Sequence, residues 1–338
     1  MSSSKTSISL IAQKAGVSNA TVSRVINHPE LVNKETARTV SFAMNSLGYV
    51  PKVSKTRTKE PKKLILIIFP DLSNPFYGEI INGIISSAES HSYHILINQT
   101  NFNNDNSLDN YLSLTKSTKA CGVILSSSLR PEYYRKIASI IPVVQCSEYN
   151  TEALFYVSID DFKAAYTAME HIYSKGRKKI ALINGPSNFK YAIERFRGYE
   201  AFLEYAGLPL QESWNINLPE INYDMAFAAS CQLLTSSIPP NAVFAVSDVI
   251  AAAVIKAAKL HKIRVPEDLI VVGFDNINIS TISDPAITTI SQPRFQLGYS
   301  AGEILHQQIS SAQKEPQRML LNTELIIRAS SSCNNINH

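Results

Sequence analysis

The sequence carries little of what most catalytic or metal-binding proteins depend on. Its four cysteines, Cys121, Cys146, Cys231 and Cys333, are scattered without metal-ligand spacing, and its seven histidines do not cluster. No metal site is therefore expected. Three of the cysteines fall in apolar strand or helix contexts, so free thiols in a reducing cytoplasm are the expectation. No Ser-His-Asp or Cys-His arrangement and no phosphate-cradling glycine loop is present, which argues against an enzyme and against a bound cofactor. Long apolar runs are missing too. The longest aliphatic-aromatic stretch, Leu64–Phe69, is far too short to span a bilayer, and no charged-then-apolar leader opens the chain, so a cytoplasmic protein is expected.

What is present is a strong asymmetry of charge. Residues 1–63 hold 11 Lys and Arg against 3 Asp and Glu, a net of +8. The remaining 275 residues hold 21 against 25, a net of −4. A basic head on a mildly acidic body is the electrostatic footprint of a nucleic-acid-binding module joined to a soluble domain. At 338 residues, with 45% hydrophobic and 18% charged side chains, the chain has room for both.

The head reads as helices. Ile8, Ile11, Ala12 and Ala15 share one helical face, and Gly16 follows where the backbone must turn sharply. Ser18 then stands as the N-cap of a second helix, whose Val22, Val25 and Ile26 form an apolar face of their own. Two helices around a glycine-containing turn make either an ordinary helical hairpin or a helix-turn-helix, and the coincident basic charge favours the latter. Asn33 caps a third helix with a stripe of Val40, Ala43, Met44 and Leu47, ended by Gly48. Residues 52–63, KVSKTRTKEPKK, are polar, basic and proline-interrupted, which is the composition of a linker.

Beyond the linker, short apolar runs alternate with amphipathic stretches. Strands are expected at 64–69, 94–98, 122–125, 142–145, 157–159, 179–183, 242–246 and 269–274, and a helix over 75–91 carries Phe76, Ile80, Ile84 and Ala88 on one stripe. Strands buried on both faces and separated by helices imply doubly wound parallel sheets, and there are too many for one. Two α/β subdomains are expected, with ligand bound at the carboxyl ends of their strands, in the crevice between lobes.

Several motifs resemble the LacI/GalR family of bacterial transcription repressors. They are Ala15-Gly16-Val17-Ser18-x-x-Thr21-Val22-Ser23-Arg24-Val25-Ile26-Asn27 with Gly48-Tyr49-Val50-Pro51, then Asn74-Pro75-Phe76-Tyr77, Gly273-Phe274-Asp275-Asn276 and Thr288-Thr289-Ile290-Ser291-Gln292-Pro293. The resemblance runs from about Ser7 to Ser330 in the family's order and spacing. Within the family the wording is closest to the cytidine-responsive (nucleoside) repressors, notably in Asp71-Leu72-Ser73-Asn74-Pro75-Phe76-Tyr77 and Glu324-Leu325-Ile326-Ile327-Arg328.

The resemblance implies a three-helix helix-turn-helix head (1–50), a hinge (51–63), a periplasmic-binding-protein-like effector and dimerisation domain (64–330) and a short tail (331–338). Chain crossovers between the lobes of the effector domain are implied near 160, 292 and 322. It implies a homodimer on operator DNA whose affinity is set by a small effector, a nucleoside or a pentose, with the cyclic-AMP receptor protein as a partner on DNA. A sugar-binding transport protein is the rival from another class, since it shares the fold of the body.

On DNA, Ser18 and Thr21 are the phosphate candidates, and Asn19, Ala20 and Arg24 the base-edge candidates. Asn27, Asn33 and Thr36 are candidates for backbone contacts, and Ser7 joins the DNA-facing set. For the effector, Phe76 and Tyr77 offer stacking faces, and Arg195 matches the family's ligand-binding arginine. Asp275 and Gln292 can bond hydroxyls, Asp160 matches a cleft acid, and Ser247 is the polar residue ahead of a helix. Plainer explanations stand beside these. Phe76 also fits a core position, Arg195 could pair with Glu194 or Glu200, and Asp275 and Asp248 could be helix caps. Which of Asp160 and Asp161 faces the cleft is open.

Two departures from the family pattern stand out. Thr58 occupies the place of the hinge leucine that wedges into the minor groove, so hinge ordering on DNA and a single fixed half-site spacing are not expected. Ile221 stands where relatives often carry an aromatic that covers the ligand.

Overall fold

The computed structural model describes residues 7–27, 32–47, 49, 63–102, 104–311 and 315–332. The hinge positions 51–62, Thr58 among them, and Cys333 lie outside the described residues. The chain divides into two units, Met1–Lys62 and Lys63–His338.

In the first unit, α1 (Ile8–Ala15) is followed by Gly16 at φ 66°, a left-handed conformation that glycine adopts without steric cost. Its N–H and that of Val17 bond back to the Gln13 and Ala12 carbonyls and close the helix. This sharp stop starts α2 (Asn19–Asn27), and α3 (Lys34–Ser46) packs across both. Ile11, Val22 and Val40, one from each helix, are fully buried and form the centre of this small core. Ile8, read from periodicity as part of the apolar face, is 39% exposed, because the core is reached by Ile11 and Ala12 one turn later.

The second unit is two lobes of the same architecture. The first contains β1 (Leu64–Phe69), α4 (Tyr77–Ser90), β2 (His94–Gln99), α5 (Asp105–Thr118), β3 (Gly122–Leu125), α6 (Pro131–Ala138), β4 (Val143–Cys146) and β5 (Phe155–Ile159). The chain then crosses into the second lobe. There it forms α7 (Asp161–Ser174), β6 (Ile180–Asn184), α8 (Lys190–Tyr205), β7 (Asn215–Asn217), α9 (Tyr223–Leu234), β8 (Ala242–Ala245) and α10 (Asp248–Leu260). It continues through β9 (Ile270–Asp275), α11 (Ile279–Ile282) and β10 (Thr288–Ser291). It returns through α12 (Arg294–Ser310), which packs on α4, to β11 (Gln317–Leu321), and crosses once more to β12 (Glu324–Ile326).

Each sheet has six strands, ordered β2-β1-β3-β4-β5-β11 and β7-β6-β8-β9-β10-β12. All pairs are parallel except β10 with β12. Most inner strands are apolar runs because helices cover both faces: Ile65 to Phe69 in β1 and all of β9 are buried. Four strands escape the apolar-run reading, β7, β10, β11 and β12. Three lie at sheet edges, where one side faces water, and β11 is half exposed along its length. In both lobes the strand order reverses next to the first strand, between β1 and β3 and between β6 and β8. The carboxyl ends of the strands of both lobes line the cleft between them.

Among the described residues, Cys121, Cys146 and Cys231 are free thiols. Among them also, no helix is long and apolar enough to cross a membrane, and no group of three His, Cys, Asp or Glu could hold a metal ion.

Candidate functional site

Helix α2 presents a polar face. Ser18, Asn19, Ala20 and Arg24 are exposed, while Val22 and Val25 on the opposite side are buried. Ser18 accepts the Thr21 N–H at 3.1 Å and shares a 2.9 Å bond with the Thr21 hydroxyl, so both double as the start of the helix. Asn19 reaches back to Ser9 at 3.3 Å. Ser7 stands at the start of α1 with its side chain making no cap bond, and Asn33 caps α3 by accepting the Glu35 N–H at 3.0 Å. Thr36 is half-buried in α3, and the side chain of Asn27 lies outside the described residues.

In the second unit, a cavity of about 370 Å³ opens between the lobes. Phe76 and Tyr77 enter it from the first lobe, just after β1. Their rings meet edge to face at 5.2 Å, and Tyr77 leans on Phe69 at 4.6 Å. Phe76 is 9% exposed and belongs to the core as well as to the cavity wall, so its two readings hold together.

The second lobe supplies a charged cluster. Arg195, on α8, is 5% exposed and donates from Nε to Asp161 at 2.8 Å and from Nη1 to the Val246 carbonyl at 2.7 Å. Its guanidinium lies 3.5 Å from the Phe274 ring centre and 4.9 Å from that of Tyr191. It does not pair with Glu194, which bonds Arg197 instead. Asp275, at the end of β9, lies 4.0 Å from the guanidinium and accepts from Gln292 Nε2 at 2.8 Å. Burial pushes the Asp275 carboxyl up to about 6, opposed by Arg195 and Gln292, and burial raises Asp161 as well.

Asp275 sits on a turn in which it and Asn276 both have positive φ, 103° and 55°. Neighbouring bonds hold that unfavourable backbone in place. Asn276 is bonded by Arg328 at 2.8 Å and Ser291 at 3.1 Å, and the Ile277 N–H donates to Asp248 at 2.9 Å. Asp248 is thus no cap. Ser247 is, accepting the Val249 N–H at 3.3 Å while also lining the cavity. Burial, then the nearby Asp275, pushes Asp248 up to about 8.

Asp160 is the one effector candidate that the fold turns away from the cleft. Its side chain is exposed and caps α7 by accepting the Lys163 N–H at 2.9 Å, and the next residue, Asp161, points inward to Arg195. Consecutive residues at a helix start face different ways, and the one that meets a buried guanidinium is the one that goes inside.

Glu148 was not foreseen from the sequence. It follows β4 through Ser147, which has φ 64°, and it crosses to the other lobe, where its two oxygens accept the Lys190 and Tyr191 N–H groups at 2.9 and 3.0 Å. It caps α8 from across the cleft, and burial pushes its carboxyl up to about 7. Ser128 adds a second bond between lobes, donating to the Asn188 carbonyl at 2.8 Å. Tyr191, Phe189, Gln99 and Asn101 also line the cavity. The available signal was position, since Glu148 and Gln99 stand at carboxyl ends of strands.

Comparison with known proteins gives the same picture. Residues 7–52 match the family described as bacterial regulatory proteins, lacI family, and residues 169–331 match a periplasmic binding protein-like domain. The chain is 34% identical over 325 residues to the HTH-type transcriptional repressor CytR of Escherichia coli (strain K12), covering 95% of each protein. It is 32% identical over 329 residues to the ribose operon repressor of Halalkalibacterium halodurans, covering 96% of each. Among solved structures, the complex of transcriptional regulator CelR with cellobiose matches with a TM-score of 0.73 at 26% identity, over 97% of this chain and 100% of that one. The fold is also that of the lac repressor dimer bound to operator and the anti-inducer ONPF, with a TM-score of 0.72 at 23% identity, over 97% of this chain and 99% of that one. With a recognition helix on one unit, a cleft built from strand ends in the other, and this similarity along nearly its whole length, the chain belongs to the LacI family of bacterial regulatory proteins, as a DNA-binding transcriptional repressor with an effector-binding domain of the sugar- and nucleoside-binding kind.

Proposed function

We propose that the effector is a nucleoside, cytidine the first candidate, and that it lies with its base against Phe76 or Tyr77 and its ribose hydroxyls on Asp275 and Arg195. Gln292, Ser247 and Asp161 complete the polar wall. One observation carries the reading: aromatic rings from one lobe and a hydroxyl-binding cluster from the other enter a single cavity of about 370 Å³. That suits a molecule with one flat face and one polyhydroxylated end. Calorimetry with cytidine, adenosine, uridine and ribose tests it. Saturable heat from cytidine is expected, and no heat from any nucleoside refutes the reading.

A pentose is the second reading. Ile221 lines the cavity and offers no ring for a base to stack on, and heat from ribose alone would favour this alternative.

On operator DNA, Ser18 and Thr21 take phosphates and Asn19, Ala20 and Arg24 address base edges, with Asn27, Asn33 and Thr36 on the backbone and Ser7 also facing DNA. The exposure of Ser18, Asn19, Ala20 and Arg24 on one face of the head supports this assignment. The protein acts as a cytoplasmic homodimer, with the cyclic-AMP receptor protein as a neighbour on DNA.

A further inference from the structure

The walls of the interlobe cavity carry charge of mainly one sign. Asp71, Glu148, Asp161, Glu220 and Asp275 line it, and among the described lining residues Arg195 is the sole cation. That cation is already engaged, with Nε on Asp161 and Nη1 on the Val246 carbonyl.

Three helix ends of the second lobe beside the cleft are filled as well. In a doubly wound lobe, helix N-termini aim at the carboxyl edge of the sheet, and their free N–H groups are ready-made sites for a phosphate. At α7, α8 and α10 of the second lobe these groups are taken by the protein's own oxygens. Asp160 takes the first turn of α7 through the Lys163 N–H, and Asp161 stands beside it. Glu148 takes the Lys190 and Tyr191 N–H groups at the start of α8. Ser247 takes the Val249 N–H of α10, whose first residue is Asp248.

We infer that this cleft selects by charge, admitting a neutral or cationic effector and excluding the phosphorylated form of the same molecule. The inference deepens, and rests on, the reading of the cavity as the effector site. A phosphate brought there adds like charge to a wall with five carboxylates, where the one guanidinium already gives Nε and Nη1 to the protein and the starts of α7, α8 and α10 are taken. The repressor therefore responds to what phosphomonoester hydrolysis or import supplies, and loses its signal when a kinase consumes that molecule.

The test is calorimetry at neutral pH with two pairs, cytidine against cytidine 5′-monophosphate and ribose against ribose 5-phosphate, together with the neutral 5′-sulfamoyl derivative of cytidine. In whichever pair binds, the phosphorylated member should be weaker by at least about a hundredfold. The sulfamoyl compound, of similar bulk and no charge, should bind within about tenfold of cytidine. Equal affinities within the binding pair overturn the inference and leave the nucleoside reading intact. Binding confined to the ribose pair, with the phosphate still excluded, overturns the nucleoside reading and leaves the inference standing. Loss of the sulfamoyl compound along with the monophosphate makes the exclusion one of shape and also overturns it. Glu220→Lys should raise the affinity for the monophosphate more than that for cytidine, and an equal change in both counts against the inference.

Discussion

Arg195 shows how one side chain can be structural and ligand-facing together. It is buried, ion-paired to Asp161 at 2.8 Å, and flanked by the faces of Phe274 and Tyr191. A guanidinium suits this place because its plane stacks on rings while its edge donates to carboxylate and carbonyl. Arg195→Ala strips the guanidinium from the buried carboxyls of Asp161 and Asp275. Removal of one partner of a buried pair costs about 3–5 kcal/mol, so urea unfolding of the variant should show a loss of that size. A loss below about 1 kcal/mol would mean that the pair behaves as if solvated.

The helices of the head and of the first lobe illustrate two demands that elements place on residues. Where α4 and α12 cross, Gly298 lies against the Ile80 backbone, and a Cβ added at Gly298 would run into the Ile80 carbonyl oxygen. Gly298→Ala must push the helices apart, and overpacking of this kind costs about 1–3 kcal/mol. Chemical denaturation should report that loss, whereas Gly176→Ala, with open space around its added Cβ, carries only the strain of its positive φ. In α2 the demand comes from outside. Arg24 is exposed on the same face as Asn19 and Ala20. If it reads a guanine edge, Arg24→Ala should lose about 1–3 kcal/mol on operator while binding to random DNA falls little. Gel-shift titrations on both DNAs decide this, and equal losses would make Arg24 a phosphate contact.

At the scale of the molecule, Glu148 bridges the two lobes of the effector unit by holding the start of α8. Its carboxyl is raised from the ordinary 4.5 to about 7 by burial, against the pull of the two N–H groups and Lys190, with Asp161 pushing the same way as burial. The folded protein thus keeps a proton that the unfolded chain releases. The corresponding stability is fully present below about pH 4.5 and is lost as the pH rises through about 7. Melting temperatures followed across that window should fall with rising pH in the native chain, and less steeply in Glu148→Gln. Parallel curves would show that Glu148 has no part in the dependence.

The periodicity of α1 to α3, the glycine between the first two and the basic charge around them identify the head from sequence, because a small helical module is built from contacts near in the chain. Most of the buried strands are as legible, since burial on both faces favours continuous apolar runs. The edge strands β7, β11 and β12 are not, for half their side chains meet water and their pairing comes from distant parts of the chain. In the cleft, the sequence points to Phe76, Tyr77, Arg195, Asp275 and Gln292 through their places beside strand ends and in recognisable motifs, and the fold brings all five into one cavity. Only the tertiary structure decides between Asp160 and Asp161, and only it places Glu148 on α8. The reason is the same in both cases. The fate of a carboxyl is set by the partner that meets it, and these partners, the Arg195 guanidinium and the open turn at Lys190, lie 34 and 42 residues farther along the chain.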